Sequence, residues 1–192
     1  MIDTIVNIDK ELFLWFNSLH NSFLDTLMWW VSGKLTWIPL YAFFLYLVWK
    51  KFKTKSWLPI LGVVLLIVLT DQLSVHLFKN VFERLRPCHD QSISEFVHLV
   101  NNYCGGKFGF VSSHAANTFG LAMFLWLCLR NSYKAFGLIF IWAAFVSYSR
   151  IYLGAHFPLD VFCGGLLGVL LATFIYILLK KANKNLNFGV TF

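Results

Sequence analysis

Six apolar stretches separated by polar or basic segments constrain this sequence more than any other feature. They cover residues 21–32, 35–49, 57–78, 114–129, 135–152 and 159–179. A helix needs about 20 apolar residues to cross the hydrocarbon core of a bilayer, and only the first stretch falls far short of that length. The pattern predicts an all-α, polytopic membrane helix bundle with about six transmembrane helices, of which the first is short or partly interfacial.

Composition supports the membrane class. Hydrophobic residues make up 58% of the 192 residues and charged residues 13%, whereas soluble domains are about one quarter charged. The net charge of +7 would suit a nucleic-acid-binding protein. However, the basic residues cluster at the ends of the apolar stretches, as membrane topology requires. We therefore expect an integral membrane protein with no nucleic-acid partner.

The length predicts a single domain over residues 1–192. Its first residues lack the basic segment of a signal peptide, so we expect no cleavable leader. Residues 8–20 mix Asp9, Lys10 and Glu11 with leucine and aromatic residues. This mixture predicts an interfacial amphipathic helix within residues 1–20.

The distribution of Lys and Arg predicts the orientation in the membrane. One side of the predicted spans carries Lys50, Lys51, Lys53, Lys55, Arg130, Lys134, Lys180, Lys181 and Lys184. The other side carries Lys34, Lys79, Arg84, Arg86, Lys107 and Arg150. The first, more basic side is predicted to be cytoplasmic, because positive residues concentrate in cytoplasmic loops. The polar segment 79–112 and the stretch 149–160 then share the external face.

The stretch 149–160 places a cation, an imidazole and a carboxylate close together: Arg150, His156 and Asp160. Pro158 suits the first turn of a helix, which puts Asp160 near the third helical position. From there its carboxylate can reach back to His156. An imidazole oriented by a carboxylate serves as a nucleophile or a base. The alternative is a polar boundary between two spans whose residues only anchor the chain.

A second cluster contains Lys79 and Arg86, which are seven residues apart. A helix would present both on one face, because seven residues make about two turns. Pro87 disfavours helical geometry at Arg86 and predicts that the helix ends there. The alternative role for this basic pair is to attract anionic lipid headgroups.

The third cluster is Ser112-Ser113-His114, at the start of an apolar stretch. Either serine is a favoured helix N-cap. The helix N-terminus offers free N–H groups and the positive end of a dipole to an anion. The alternative is a capping serine beside an incidental interfacial histidine.

On the external face the three clusters together supply three cations, two histidines, one carboxylate and two helix N-termini. This set matches phosphoryl transfer, in which cations neutralise the charge on the equatorial oxygens. One histidine can attack phosphorus while the other protonates the leaving oxygen. No carboxylate cluster and no Cys/His spacing in the sequence predicts a metal site.

The clusters resemble the three-part signature of the type-2 phosphatidic acid phosphatase family. The parts are Lys79, six residues and Arg86-Pro87; Ser112-Ser113-His114; and Ser149-Arg150, five residues, His156, three residues and Asp160. The family includes bacterial undecaprenyl-diphosphate, phosphatidylglycerophosphate and lipid A phosphatases, and it is related to soluble vanadium haloperoxidases. One departure concerns the second part, which usually reads Pro-Ser-Gly-His. Here Ser113 replaces the glycine and adds a hydroxyl where the backbone approaches phosphate.

The resemblance implies a role for each residue. His156 would be the nucleophile, Asp160 would orient it, and His114 would be the general acid. The resemblance also implies hydrolysis without a metal and without a cofactor. The implied phosphate-binding set is Lys79, Arg86, Ser112, Ser113 (through its backbone N–H region) and Arg150.

We therefore expect an enzyme, a metal-independent phosphatase that hydrolyses a membrane lipid phosphate or diphosphate through a phosphohistidine. Undecaprenyl diphosphate is the first candidate, because an outward-facing site suits recycling of that carrier. A lipid A or phosphatidylglycerophosphate phosphatase is the alternative. A non-enzymatic anion or lipid transporter, with Asp71 in its path, is the alternative from another class. The expected location is the bacterial cytoplasmic (inner) membrane, with a multi-pass chain whose active site faces the periplasm or exterior.

Cys88 and Cys104 both lie in the segment 79–112. On an oxidising face two such thiols can pair and pin the loop that carries Arg86. We expect a Cys88–Cys104 disulfide, with two free thiols as the alternative.

Overall fold

The structure is a computed structural model that describes residues 2–186 and 188–190. The predicted domain 1–192 also includes Met1, Asn187, Thr191 and Phe192, which lie outside the described residues. The described residues form seven α-helices and no β-strand, which confirms the all-α class. The helices are α1 (Ile2–Ser18), α2 (Ser22–Ser32), α3 (Ile38–Phe52), α4 (Trp57–Phe82), α5 (Ser113–Leu129), α6 (Ile139–Tyr152) and α7 (Pro158–Leu186).

Three helical segments in the described chain are long and apolar enough to span a membrane: α4, Lys134–Tyr152 (which contains α6) and α7. A fourth span results if α2 and the helical stretch Leu35–Lys55, which meet at 73°, cross as one bent unit. Helix α5 is apolar but shorter. The polytopic membrane class is confirmed, whereas the predicted count of six transmembrane helices is not.

Helix α5 forms the centre of the bundle, since ten of its 17 residues are buried. Helix α7 packs directly against its backbone through Gly164 and Gly168. A Cβ atom at Gly164 would overlap the carbonyl oxygen of Ser112, and one at Gly168 would overlap that of Ala116. Small residues at this spacing let two membrane helices approach closely. The start of α5 therefore lies against the first turns of α7.

Helix α1 has two faces in different environments. Asp9, Phe13 and Asn17, spaced by four residues, are 5%, 0% and 1% exposed. They form one buried stripe, because residues four apart share a helix face. The other face is an exposed apolar stripe of Ile5, Ile8, Leu12 and Trp15. The interfacial location of α1 stays a prediction, which this exposed stripe supports.

A connecting segment, residues 83–112, joins α4 to α5. Helix α4 ends at Phe82, and Glu83 turns the chain with a φ of 45°. The chain then runs extended and pairs with residues 107–109: Arg86 N–H donates to Lys107 O (3.1 Å) and Gly109 N–H to Arg84 O (2.8 Å). The prediction that the helix continues to Arg86 is therefore wrong, because this pairing takes the backbone groups that a helix would need.

Candidate active site

A cavity of about 620 Å³ lies among α3, α4, α5 and α6. Its polar end is lined by Lys79, Arg86, Ser113, His114, Arg150 and His156. Its apolar end is lined by Phe44, Val48, Pro59, Ile60, Val63 and Leu125. Along α4 the lining runs from Pro59 to Lys79, a length of about 30 Å at 1.5 Å per residue. The cavity therefore connects a basic site to a long hydrophobic groove.

His156 lies in the turn between α6 and α7 and is 2% exposed. The backbone N–H groups of Ala155 and His156 donate to Arg150 O at 3.0 and 3.2 Å, which ties the turn to the end of α6. Asp160 is the third residue of α7, as the sequence predicts, and its Oδ2 accepts a hydrogen bond from Phe157 N–H at 3.0 Å. The Phe157 bond aims the Asp160 side chain back toward the turn.

His156 Nδ1 and Asp160 Oδ2 are 3.6 Å apart. This separation is longer than a hydrogen bond. Such contacts are often loose without a reactant and tighten when charge develops on the imidazole. Gly109 packs beside the pair: a Cβ there would lie 3.0 Å from Asp160 Oδ2 and 3.6 Å from His156 Nδ1. A residue with a side chain at position 109 would displace the Asp160 carboxylate or the His156 imidazole.

Burial holds the pKa of His156 well below its usual value of 6.5, and the charges of Arg86, Arg150 and Lys79 lower it further. A buried imidazole beside cations resists protonation. The ring is therefore neutral at neutral pH and keeps a lone pair available for attack on an electrophile.

The two serines of the second cluster face different surroundings. Ser112 is the N-cap of α5: its Oγ accepts from Ala115 N–H at 3.4 Å, and the structure does not bring its side chain to the cavity wall. Ser113 does line the cavity, where its Oγ accepts a hydrogen bond from Lys79 Nζ at 2.9 Å. His114 lines the cavity beside it. Ser112 N–H also donates to Asp160 O at 2.9 Å, which joins the second cluster to the third.

Three cations converge on the polar end. Arg86 is held by carbonyl groups: its Nε donates to Phe108 O at 3.3 Å and its Nη1 to Ala155 O at 3.5 Å. Arg150 is 4% exposed, and its Nη1 donates to Ser32 Oγ. Within the described residues, neither arginine nor Lys79 forms a salt bridge with a carboxylate. Their charge is therefore available to an anion such as phosphate.

Arg84 contacts the predicted site residue Asp160, and Asp9 contacts Arg84, although the sequence motifs include neither residue. Arg84 Nη1 pairs with Asp160 Oδ1 at 2.6 Å, and Arg84 Nη2 pairs with Asp9 Oδ2 at 2.6 Å. The sequence holds one signal that could indicate Arg84: in an extended segment, residues two apart share a face, so Arg84 would lie on the same face as Arg86. No local pattern could indicate Asp9, because its contact depends on how α1 packs.

Asp71 is a further polar residue of the cavity wall. Its Oδ1 accepts a hydrogen bond from Asn117 Nδ2 at 2.9 Å, and both residues line the cavity. Asn117 lies one turn after His114 on α5. The carboxylate of Asp71 therefore belongs to the same cavity as the predicted site residues.

Cys88 and Cys104 are joined by a disulfide with a Cα–Cα distance of 5.9 Å. His89 Nε2 lies 3.3 Å from Cys104 Sγ. Among the described residues these three side chains have the spacing of a metal site. However, sulfur atoms bonded to each other are not the thiolates that bind a metal.

A family model described as the PAP2 superfamily matches residues 59–184, which contain all three sequence clusters. The chain belongs to the PAP2 superfamily. This membership confirms the resemblance to type-2 phosphatidic acid phosphatases and identifies the protein as an enzyme, an integral membrane phosphatase.

Two curated relatives of this PAP2 phosphatase are named "Lipid A 4'-phosphatase". The protein from Bacteroides thetaiotaomicron is 38% identical over 188 residues, which cover 97% of this chain and 83% of the relative. The protein from Porphyromonas gingivalis is 38% identical over 178 residues, which cover 91% of this chain and 74% of the relative.

Two solved structures share the fold. The PAP2-type phosphatidylglycerolphosphate phosphatase from Bacillus subtilis matches with a TM-score of 0.71 and 22% identity, covering 95% of this chain and 87% of that one. LpxE from Aquifex aeolicus matches with a TM-score of 0.62 and 27% identity, covering 86% and 92%. The first likeness, at 22% identity, supports the fold alone.

Proposed function

We propose that this PAP2 phosphatase hydrolyses the phosphate monoester at the 4' position of lipid A and releases inorganic phosphate. The support is the pair of 38%-identical relatives with that name, which this chain matches over most of their length. Undecaprenyl diphosphate is the first substrate predicted from the sequence, but neither relative is named for it. The predicted alternative, lipid A, is therefore the better supported substrate.

The observation that carries the proposal is the continuity of the cavity. Three cations and two histidines line one end, and apolar side chains of α3, α4 and α5 line the other. A phosphate group bound at the polar end leaves the acyl chains of its lipid beside the groove. The groove gives these chains an apolar surface in place of water, which contributes about 25 cal/mol for each Å² buried.

The first chemical step breaks the phosphoester bond. His156 Nε2 attacks phosphorus and forms a P–N bond, while the electron pair of the breaking P–O bond passes to the sugar oxygen. His114, which takes up a proton once the negative charge of the bound phosphate offsets the surrounding cations, donates it to that oxygen, and dephosphorylated lipid A leaves as an alcohol. Lys79, Arg86 and Arg150 stabilise the charge that develops on the equatorial oxygens.

The second step regenerates the enzyme. His114, now neutral, accepts a proton from a water molecule whose oxygen attacks phosphorus. The P–N bond breaks, its electron pair returns to His156, and inorganic phosphate leaves. Asp160 stabilises the positive charge on His156 while the phosphohistidine exists. No step uses a metal, so we expect full activity in the presence of a chelator.

We also propose that the active site faces the outside of the cytoplasmic membrane. The excess of basic residues on the opposite side supports this orientation. The Cys88–Cys104 disulfide supports it as well, because disulfides persist in oxidising compartments. Labelling of a cysteine introduced beside the connecting segment, with a membrane-impermeant reagent on intact cells, tests the orientation.

The substrate proposal is tested with the purified protein in detergent. Phosphate release is measured from lipid A, undecaprenyl diphosphate and phosphatidylglycerophosphate, each with and without EDTA. Tandem mass spectrometry of the lipid A product locates the lost phosphate. We expect the highest kcat/KM on lipid A, loss from the 4' position and no effect of EDTA. A higher kcat/KM on either other lipid, or loss from the 1 position, would overturn the assignment.

A further inference from the structure

The buried stripe of α1 contacts the turn that carries His156 at three points. Asn17 Nδ2 donates to Tyr152 O at 2.8 Å. The rings of Phe13 and Phe157 meet edge to face, with centroids 5.4 Å apart. Asp9 Oδ1 accepts from Leu159 N–H at 2.8 Å. These contacts lie on both sides of His156, so α1 fixes both ends of the turn.

A line of alternating charges continues from Asp9 toward His156. Asp9 pairs with Arg84 and Arg84 pairs with Asp160, both at 2.6 Å. The side chains of Asp9 and Asp160 are 6% and 0% exposed, and that of Arg84 is 20% exposed. The Arg84 guanidinium also lies 4.4 Å from the centre of the Phe157 ring. Three contacts therefore fix the position of Arg84 beside Asp160.

A carboxylate without exposure needs a compensating charge and fixed hydrogen bonds to stay ionised. Asp160 has them from Arg84 on Oδ1 and from Phe157 N–H on Oδ2. Arg84 in turn keeps its orientation because its second nitrogen is bound to Asp9. Without Asp9, that nitrogen would have no carboxylate partner, and the guanidinium could rotate away from Asp160.

We propose that Asp9 and Arg84 are positioning residues that hold Asp160, and through it His156, in the geometry needed for attack on phosphorus. The family model begins at residue 59, so Asp9 lies outside the part of the chain that it matches. Helix α1 then has a function in catalysis besides contact with lipid. This inference rests on the phosphatase activity and not on lipid A as the substrate.

The test compares kcat with KM in Asp9→Asn, Arg84→Gln and Arg84→Lys. Asparagine keeps the size of Asp9 but presents no charge to Arg84. We expect kcat to fall about tenfold in Asp9→Asn and about 100-fold in Arg84→Gln, the range seen when supporting residues of an active site are removed. KM should stay within about twofold, because Lys79, Arg86 and Arg150 remain. Arg84→Lys should recover part of the lost kcat, since it restores the charge.

Lys10→Gln is the matched control. Lys10 is the neighbour of Asp9 on α1 and also pairs with the connecting segment, at 2.7 Å from Asp90 Oδ2, but it does not contact Asp160. We expect Lys10→Gln to keep the wild-type kcat. The proposal is overturned if Asp9→Asn behaves like Lys10→Gln. It is also overturned if the loss in Asp9→Asn follows a loss of folded protein, measured by size-exclusion chromatography and thermal unfolding.

Each variant is assayed on lipid A and on a short-chain phosphatidic acid. The proposed step at phosphorus is common to both lipids, so the ratio of variant to wild-type kcat should be similar on both. Wild-type protein that is inactive on lipid A but active on phosphatidic acid would reject the proposed substrate only. The positioning role would then be decided by the phosphatidic acid data.

Discussion

The two ends of the cavity differ in how they hold a ligand. At the polar end, Arg86 and Arg150 are fixed by hydrogen bonds. At the apolar end, Val48, Pro59 and Val63 offer only van der Waals contacts. Hydrogen bonds fix both distance and direction, but apolar contacts constrain little besides volume. The polar end should therefore determine the reaction and appear in kcat. The apolar end should determine which lipid tails are accepted and appear in KM.

The largest effect should come from His156→Gln, which removes the proposed nucleophile. We expect kcat to fall by at least about 10⁴-fold on every phosphate substrate, because loss of a nucleophile abolishes the covalent route. The measurement is phosphate release from lipid A and from short-chain phosphatidic acid. His89→Gln, a histidine of the connecting segment outside the cavity, is the control. A loss that depends on tail length would break the distinction between the two ends.

The next effect concerns the connecting segment that carries Arg86, where a disulfide joins two cysteines 16 positions apart. The double variant Cys88→Ala/Cys104→Ala should lose about 3 kcal/mol of unfolding free energy, the value for a loop of this length. Chemical denaturation monitored by tryptophan fluorescence checks it. Cys163→Ala, which removes a free cysteine, should change the free energy far less. Equal losses in the two variants would show that the disulfide does not stabilise the fold.

A smaller effect is expected at the apolar end from Val63→Trp, which fills the groove. KM for lipid A should rise about tenfold, equivalent to about 1.4 kcal/mol, while kcat and the KM for short-chain phosphatidic acid stay unchanged. Val68→Trp is the matched control, because Val68 lies on the same helix but is 53% exposed and outside the cavity lining. A fall in kcat on the short lipid would mean that the two ends are not separable.

The smallest effect is a dependence of stability on pH. The pKa of His156 is well below 6.5 because of burial, whereas the unfolded chain binds a proton near pH 6.5. The unfolded state therefore gains protons as pH falls below 6.5, and the folded state does not, so stability decreases on acidification. We expect wild type to lose about 1 kcal/mol more than His156→Gln between pH 7.5 and about pH 5.8. Identical losses in the two proteins would contradict a buried, neutral His156.

Local sequence rules predicted the helix starts around the site, because interactions between neighbouring residues determine where those helices begin. Pro158 begins α7 and Asp160 is its third residue, because proline favours a first helical turn. Ser112 caps α5, because serine accepts from a free backbone N–H group. Both features depend on residues within three positions, so the sequence alone predicted the start of α7 and limited the cap of α5 to Ser112 or Ser113.

The same rules failed where backbone pairing between distant residues determines the local structure. Lys79 and Arg86 both line the cavity, but not because they share a helix face. Arg86 lies in an extended segment whose partner residues, 107–109, are more than 20 positions away. The contact between Asp9 and Arg84 likewise spans 75 positions, and no periodicity in the sequence reports a pair at that distance.

The close packing of α7 on α5 has a consequence for the chemistry. His114 follows Ser112 by two residues, and Gly164 follows Asp160 by one helical turn, so this glycine contact joins the two helices within a few residues of His114 and Asp160. A methyl group at position 164 would overlap the carbonyl oxygen of Ser112 and push the two helices apart. The separation of the helices that carry His114, the proposed proton donor, and Asp160, the proposed partner of the nucleophile, is thus set by a hydrogen atom on a residue that takes no part in the proposed reaction.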